Sequence, residues 1–186
     1  MKINEIFYSL QGEGRYTGTP AIFIRFSGCN LKCSFCDTDH NKGVEMSTEE
    51  ILNKIKGTPC KFIVLTGGEP GLQVTYDFVE ALKKEGYYVA VETNGTMPLP
   101  GNIDWITCSP KYKKVVLKRI DEIKVVYECQ DMSQYDNLMA KEYYLQPCDY
   151  KDAEKNKKNI EQTIKFIKEN PKWKLSLQTQ KILNVQ

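Results

Sequence analysis

The sequence predicts an α/β fold: a partial, modified (β/α) barrel of about six parallel strands with reduced helices. Three observations predict it. Short β-rich runs recur along the chain, and most are near-continuous in apolar residues, as in parallel strands covered on both faces. Helical patterns lie between the early runs, so strand, helix and strand alternate as right-handed βαβ units. The links after the third and fourth runs are too short for full-sized helices, which strips the barrel down and leaves it open on one side. An open doubly wound sheet is the other arrangement that such units allow.

The first run is AIFIRF (21–26), followed by the helical pattern STEEILNKIK, with Ser47 or Thr48 as its cap. KFIVLT (61–66) comes next, then VTYDFVEALKKEG, a helix that Gly86 stops. YVAVET (88–93), DWITCS (104–109), DEIKVVY (121–127) and EYYLQP (142–147) complete the strands. A further helix is expected over 153–170, where Ile160, Ile164 and Ile167 share one face and the lysines form a solvated one. KLSLQT (174–179) alternates like a strand, and Ile182, Leu183 and Val185 then supply apolar anchors for a docked tail. No boundary, repeat or low-complexity segment divides the chain, so residues 1–186 are expected to be a single domain.

Composition narrows the function. Hydrophobic residues at 41% and charged residues at 27% fit a soluble globular chain. A formal net charge of +2 gives no electrostatic footprint for nucleic acid or a membrane surface. No signal peptide or spanning run is apparent, and seven cysteines then point to a reducing, cytoplasmic setting with metal or catalytic thiols. The only histidine is His40, so a histidine-based triad is impossible; His40 itself reads as a loop surface residue.

In such barrels, chemistry collects at the C-terminal ends of the strands. There stand GCNLKCSFCDTD (28–39), TGGEP (66–70), ETNG (92–95), SPK (109–111) and QPCD (146–149), each after its own strand. Cys29, Cys33 and Cys36 are three soft thiolates in one short loop. A structural zinc site needs four ligands, so His40 or a distant cysteine would have to complete one. A cubane [4Fe–4S] cluster held by these three thiolates keeps one iron open for a substrate or cofactor. Cys60, Cys108, Cys129 and Cys148 are isolated and read as small buried hydrophobes.

The CxxxCxxC spacing with Phe35 before its last cysteine, followed in register by TGGEP, resembles the radical S-adenosylmethionine enzymes. That resemblance implies an open iron chelating the methionine moiety of S-adenosylmethionine and a low-potential electron that generates a 5′-deoxyadenosyl radical. It places backbone groups of the turn through Gly67, Gly68, Glu69 and Pro70 on the methionine amino group. Phe35 falls beside the adenine, and Cys36 and Asp37 are further cofactor contacts. A Gly-Gly turn at a strand end suits close approach of backbone to ligand.

The order of SLQGEG, SGCNLKCSFCDT, LTGGEP, VETNGT, CSPK, LQP and LSLQTQK over the whole chain is similar to the 7-carboxy-7-deazaguanine synthase family within that superfamily. The resemblance implies a lyase that contracts 6-carboxy-5,6,7,8-tetrahydropterin to 7-carboxy-7-deazaguanine with loss of ammonia, in queuosine and deazapurine biosynthesis. It assigns Leu10, Gln11, Gly12, Glu13, Arg25, Thr66 and the terminal Gln186 to the pterin, with Arg25 on its carboxylate. An arginine inside an apolar strand needs an anionic partner, and a structural ion pair is the other way to supply one. Gly68, Ser109, Pro110 and Lys111 correspond to cofactor contacts, and Gln146 and Asp149 to a further cofactor-facing stretch. Glu92 and Asn94 either address the ribose or cap the strand turn. Thr38 corresponds to an Mg²⁺ ligand shared with substrate oxygens. One position departs: the family pattern LQTHK reads LQTQK here, with Gln180 unable to ionise near neutral pH. The same resemblance implies a flavodoxin or ferredoxin electron donor and a homodimer. A glycyl-radical-enzyme activating enzyme and a non-catalytic zinc-binding module are the alternatives.

Overall fold

The computed structural model describes residues 1–36 and 38–186; Asp37, one of the expected cofactor contacts, lies outside them. Its strands are β1 (Lys2–Leu10), β2 (Pro20–Phe26), β3 (Val44–Glu45), β4 (Phe62–Gly67), β5 (Tyr88–Thr93), β6 (Trp105–Cys108), β7 (Glu122–Tyr127), β8 (Glu142–Pro147) and β9 (Lys174–Leu175). The helices are α1 (Thr48–Ile55), α2 (Tyr76–Lys84), α3 (Ala153–Glu169) and α4 (Thr179–Leu183). One sheet orders the strands β3-β1-β2-β4-β5-β6-β7-β8-β9. From β2 onward every neighbouring pair is parallel, as the six expected runs require. The addition is an antiparallel edge. β1 pairs with β2 and with β3, and the N-terminal segment MKINEIFYSLQGEG had carried no strand expectation.

Side chains alternate across a strand, and the two faces of this sheet meet different neighbours. Ile22, Ile24 and Phe26 of β2 join Ile63, Leu65, Val89 and Val91 on the outer face. Ile51 and Ile55 of α1 and Phe78, Val79 and Leu82 of α2 cover that layer. Burying each such side chain contributes about 1.5–3 kcal/mol, which holds the helices to the sheet. The start of α1 is fixed by a capping box: Ser47 Oγ accepts from the Glu50 N–H, and Glu50 accepts from the Ser47 N–H at 2.7 Å. Helix α2 ends before Gly86, whose φ of +79° permits the reversal. The links between β5 and β6 and between β6 and β7 contain no helix, as their lengths dictate.

Helix α3 spans the expected segment and packs Ile167 on the core as expected, but its inward face is rotated away from the other two isoleucines. Its buried positions are Asn159 and Thr163, whereas Ile160 and Ile164 are exposed. Asn159 Nδ2 donates to the carbonyls of Tyr127 and Cys148, tying the helix to the ends of β7 and β8. A buried amide with two backbone acceptors outweighs the apolar stripe in setting the helix's rotation.

The inner face is narrower and closes at the bottom. The loop between β1 and β2 folds into the strands' N-terminal end, where the Tyr16 ring packs on Phe62 and Trp105 and its hydroxyl meets that of Tyr88 at 3.0 Å. Above this aromatic floor, residues of one parity project inward from successive strands. At the open C-terminal end they are Arg25, Thr66, Glu92, Lys124, Val126 and Gln146.

Candidate active site

Two adjoining cavities occupy that open end. The first, of about 220 Å³, is lined by Cys29, Cys33, Phe35 and Cys36 on one side and by Ser109, Lys111, Gln146 and Asp149 on the other. The second, of about 320 Å³, is lined by Leu10, Gln11, Gly12, Arg25 and Gln186. Glu13, Thr38, Thr66, Gly67 and Glu92 belong to both walls. The fold therefore brings the expected cofactor and substrate residues to two sides of one partition.

The cysteine loop lies against the glycine turn through backbone contacts. Gly68 N–H donates to the Phe26 carbonyl and Glu69 N–H to that of Gly28. A Cβ on Gly68 would stand 1.8 Å from the Gly28 carbonyl oxygen, so the turn tolerates no side chain there. The Cys36 N–H donates to the Cys33 carbonyl, bending the loop back on itself. Burial pushes the Cys33 thiol up, Lys111 opposes it, and the neighbouring Cys36 and Cys29 add to the rise. Among the described residues no group of three or more His, Cys, Asp or Glu is gathered into a metal-binding set. The fit to a [4Fe–4S] cluster rests instead on three soft donors opening onto one cavity beside a side-chain-free glycine turn. His40 lines neither cavity; its backbone carbonyl accepts from the Gly28 N–H.

The remaining cysteines divide. Cys108 and Cys148 are buried, as expected, and Cys148 lies on the cofactor-side wall with its thiol pushed up to about 12 by burial. Cys129 corrects the expectation: it is exposed, on a residue with φ of +63°.

Two expected cofactor contacts are absent from the cavity walls. Glu69 is fully buried, taking Thr93 Oγ1 and the Gly71 N–H on one oxygen and the Asn94 N–H on the other. Its side chain is a brace between the turn after β4 and the end of β5; burial raises its pKa even against three donors. Pro110 is likewise buried below the wall. Asn94 keeps a place on the wall, with Nδ2 donating to Asn30 and Oδ1 accepting from Thr96. Lys111 Nζ donates to Ser109 Oγ at 2.7 Å and stands 5.3 Å from the Phe35 ring, and burial lowers its pKa.

On the substrate side, Arg25 is already paired. Its Nε donates to Glu5 Oε1 at 2.7 Å, and Nη1 reaches Thr38 Oγ1 at 3.5 Å. Glu5 was not singled out from sequence; the alternation of β1 is too weak to announce it. Its other oxygen accepts from Gln186 Nε2 at 3.0 Å. The C-terminal tail is thus tied by polar groups. Thr179 donates twice to the Gly12 carbonyl, Gln178 and Gln180 donate to Glu13, and Lys181 donates to Asp149. The expected apolar anchors fail: Ile182, Leu183 and Val185 are 70%, 59% and 39% exposed. The strand expected over 174–179 shortens to Lys174–Leu175, because Thr179 turns into α4 to reach Gly12.

The largest omission from sequence is Lys124. Its ammonium is buried between Glu13 Oε2 at 2.6 Å and Glu92 Oε2 at 2.8 Å. A lone lysine inside EIKVVY carried the same signal as the arginine inside IFIRF. Burial alone would raise the Glu13 pKa, but the Lys124 charge and three hydrogen bonds overcome it and hold the carboxyl at about 2. Glu92 moves the other way, raised chiefly by burial.

Residues 23–124 match the Radical SAM superfamily. A 7-carboxy-7-deazaguanine synthase from Bacteroides thetaiotaomicron is 52% identical over 186 residues, covering 100% of this chain and 98% of that protein. The chain belongs to the 7-carboxy-7-deazaguanine synthase family. A 7-carboxy-7-deazaguanine synthase from Haemophilus influenzae is 38% identical, with 99% of this chain and 93% of that protein covered. The crystal structure of QueE from Escherichia coli matches the fold with a TM-score of 0.79 at 32% identity, over 95% of this chain and 93% of that one. Membership in the 7-carboxy-7-deazaguanine synthases fits a partial barrel with its chemistry at the strands' C-terminal ends. It sets aside both the activating-enzyme and the zinc-module alternatives.

Proposed function

We propose that this 7-carboxy-7-deazaguanine synthase is a lyase that contracts 6-carboxy-5,6,7,8-tetrahydropterin to 7-carboxy-7-deazaguanine and releases ammonia. The single observation that carries the reading is the partition itself: a thiol-lined cavity and an arginine-bearing cavity share Glu13, Thr38, Thr66 and Glu92. Such a wall lets two bound molecules react across a short gap while water is kept out.

Cys29, Cys33 and Cys36 would hold a [4Fe–4S] cluster, with S-adenosylmethionine spread over Gly68, Phe35, Asn94, Ser109, Lys111, Gln146 and Asp149. Bound there, the pair supplies one-electron, hydrogen-abstracting chemistry. Everything else is positioning. Arg25 spends Nε on Glu5 and one Nη1 hydrogen on Thr38, and its Nη2 donors with the second Nη1 hydrogen are enough to grip the pterin carboxylate. Glu13, held ionised, presents a fixed acceptor to donors on the pterin, with Leu10, Gln11, Gly12 and Thr66 completing its surroundings. Thr38 would take Mg²⁺ only together with that carboxylate, whose charge separates the ion from the Arg25 guanidinium. Gln186 extends the same wall through Glu5.

An acidic one-electron carrier such as a flavodoxin or ferredoxin suits the exposed Lys32, Lys113 and Lys114 beside the cysteine loop. No helix among the described residues is long and apolar enough to cross a membrane. The exposed Ile182 and Leu183 support a homodimer. The test is anaerobic reconstitution, incubation with 6-carboxytetrahydropterin and S-adenosylmethionine under a reductant, and mass spectrometry. Formation of 7-carboxy-7-deazaguanine is expected. A brown, cofactor-binding enzyme that leaves the pterin intact would overturn the reading.

A further inference from the structure

Lys124 closes a ring of hydrogen bonds across the partition. Its ammonium donates to Glu13 Oε2 and Glu92 Oε2; Gln11 Nε2 donates to Glu92 Oε1 at 3.2 Å; the Glu13 N–H returns to Gln11 Oε1 at 3.2 Å. Outside the ring, Gln178 and Gln180 meet Glu13 Oε1 at 3.0 and 3.1 Å. Glu13 and Glu92 meet on one buried ammonium, and the tail joins them through Glu13. The charged groups facing Glu13 are Lys124 of β7, Glu92 of β5 and Lys111 beyond β6, with Glu122 of β7 acting on Lys124 and Glu92.

A scaffold with no need for fixed carboxylates would fill this position with an apolar residue at no loss of stability, since a buried ion pair seldom outperforms good packing. Two carboxylates on one ammonium are harder still to justify by stability. Without the ammonium, the two like charges would repel and turn Glu13 away from Glu92 unless a proton is taken up between them. We propose that Lys124 is a positioning residue for the pterin: it holds Glu13 ionised and aimed into the substrate cavity, using Glu92 as the fixed opposite post. This rests on the reading that Glu13 faces the pterin. Lys124 lines the thiol-bearing cavity and reaches the substrate cavity through Glu13 and Glu92, which line both; Glu92 keeps its Gln11 donor when Lys124 is lost, whereas Glu13 loses its cationic partner and is displaced more.

The test uses the reconstituted holoenzyme with S-adenosylhomocysteine bound to prevent turnover, and measures the dissociation constant of 6-carboxytetrahydropterin. Product formation by the unmodified enzyme checks the underlying reading separately. Lys124→Met should weaken pterin binding by about tenfold or more, with S-adenosylhomocysteine affinity changed less than about threefold. Binding by the variant should improve as the pH falls from about 8 to 6, because one shared proton then bridges the two carboxyls; the unmodified enzyme should stay flat. Glu92→Gln in the Lys124→Met background should recover part of the loss, since the new amide donates to Glu13. Lys124→Gln carries the same comparison if Lys124→Met does not fold. Pterin affinity within about twofold of the parent in either folded variant, or an equal loss for both ligands, overturns the proposal.

Discussion

Arg25 and Glu5 face each other as register partners of β2 and β1 and are joined by a 2.7 Å ion pair. Arg25 lines the substrate cavity, and the two side chains are 21% and 37% exposed, so the pair is a pre-aimed cation and not a core staple. Glu5 fixes one edge of the guanidinium and leaves the other for an anion.

Arg25→Ala should therefore cost about 2–5 kcal/mol of pterin binding, the range for truncating one partner of a buried charge pair. Arg25→Lys should recover little, because a point charge cannot serve Glu5 and a carboxylate in one plane. Cofactor cleavage without pterin should persist. Titration of the holoenzyme with pterin reads the loss; an unchanged affinity in a folded variant counts against the carboxylate assignment.

The parallel strands were legible because each is a short apolar run with a loop motif behind it, and period-2 alternation then places Arg25, Thr66 and Glu92 on one inner face. What escaped depends on partners far away in sequence. Nothing local in β1 marks Glu5, and its role exists only through Arg25 and Gln186. Glu69 reads as a cofactor residue through its backbone, and the inward turn of its carboxylate to Thr93 and Asn94 depends on partners that the motif does not name. Apolar residues in the tail suggested anchoring, whereas the actual tether is Thr179, Gln178 and Gln180 on Gly12 and Glu13. Gln180, the departure from the family pattern, donates to Glu13 through an amide that cannot ionise near neutral pH.

Single replacement of Cys29, Cys33 or Cys36 by alanine should abolish the iron–sulfur absorbance, while Cys60→Ala and Cys129→Ala should keep it. Cys60 lies away from the thiol cavity, donating to the Pro20 carbonyl, and Cys129 sits beside Gln162. Iron and sulfide assays on anaerobically purified variants check this. Loss of about half the iron or more in folded Cys129→Ala would contradict a single three-cysteine cluster.

Thr38 stands on both cavity walls, and Arg25 approaches its hydroxyl. Thr38→Ala should weaken the Mg²⁺ stimulation of turnover while leaving iron content and cofactor binding intact, because the hydroxyl is not a cluster ligand. Turnover of the unmodified enzyme that ignores added Mg²⁺ and chelator alike would remove the role given to Thr38.

Glu122 is an inner carboxyl whose burial opposes its ionisation. It is 1% exposed; one oxygen accepts from the Arg15 N–H, and the other lies against Gly14 without a hydrogen-bond partner. Burial, reinforced by the Glu92 charge, pushes its pKa up to about 7 despite the opposing Lys124. A folded value above the unfolded one means that stability is fully present below the unfolded value of 4.5 and is lost as the pH rises to about 7. Glu122→Gln keeps the shape and removes the titration. Its stability relative to the parent should climb across that window and level off above it, reaching at most about 3 kcal/mol. Denaturant unfolding of both proteins at about pH 5 and pH 8 measures the difference. A gain of equal size at both pH values would assign the effect to packing, and no gain at the higher pH would mean that Glu122 is not a strained carboxylate.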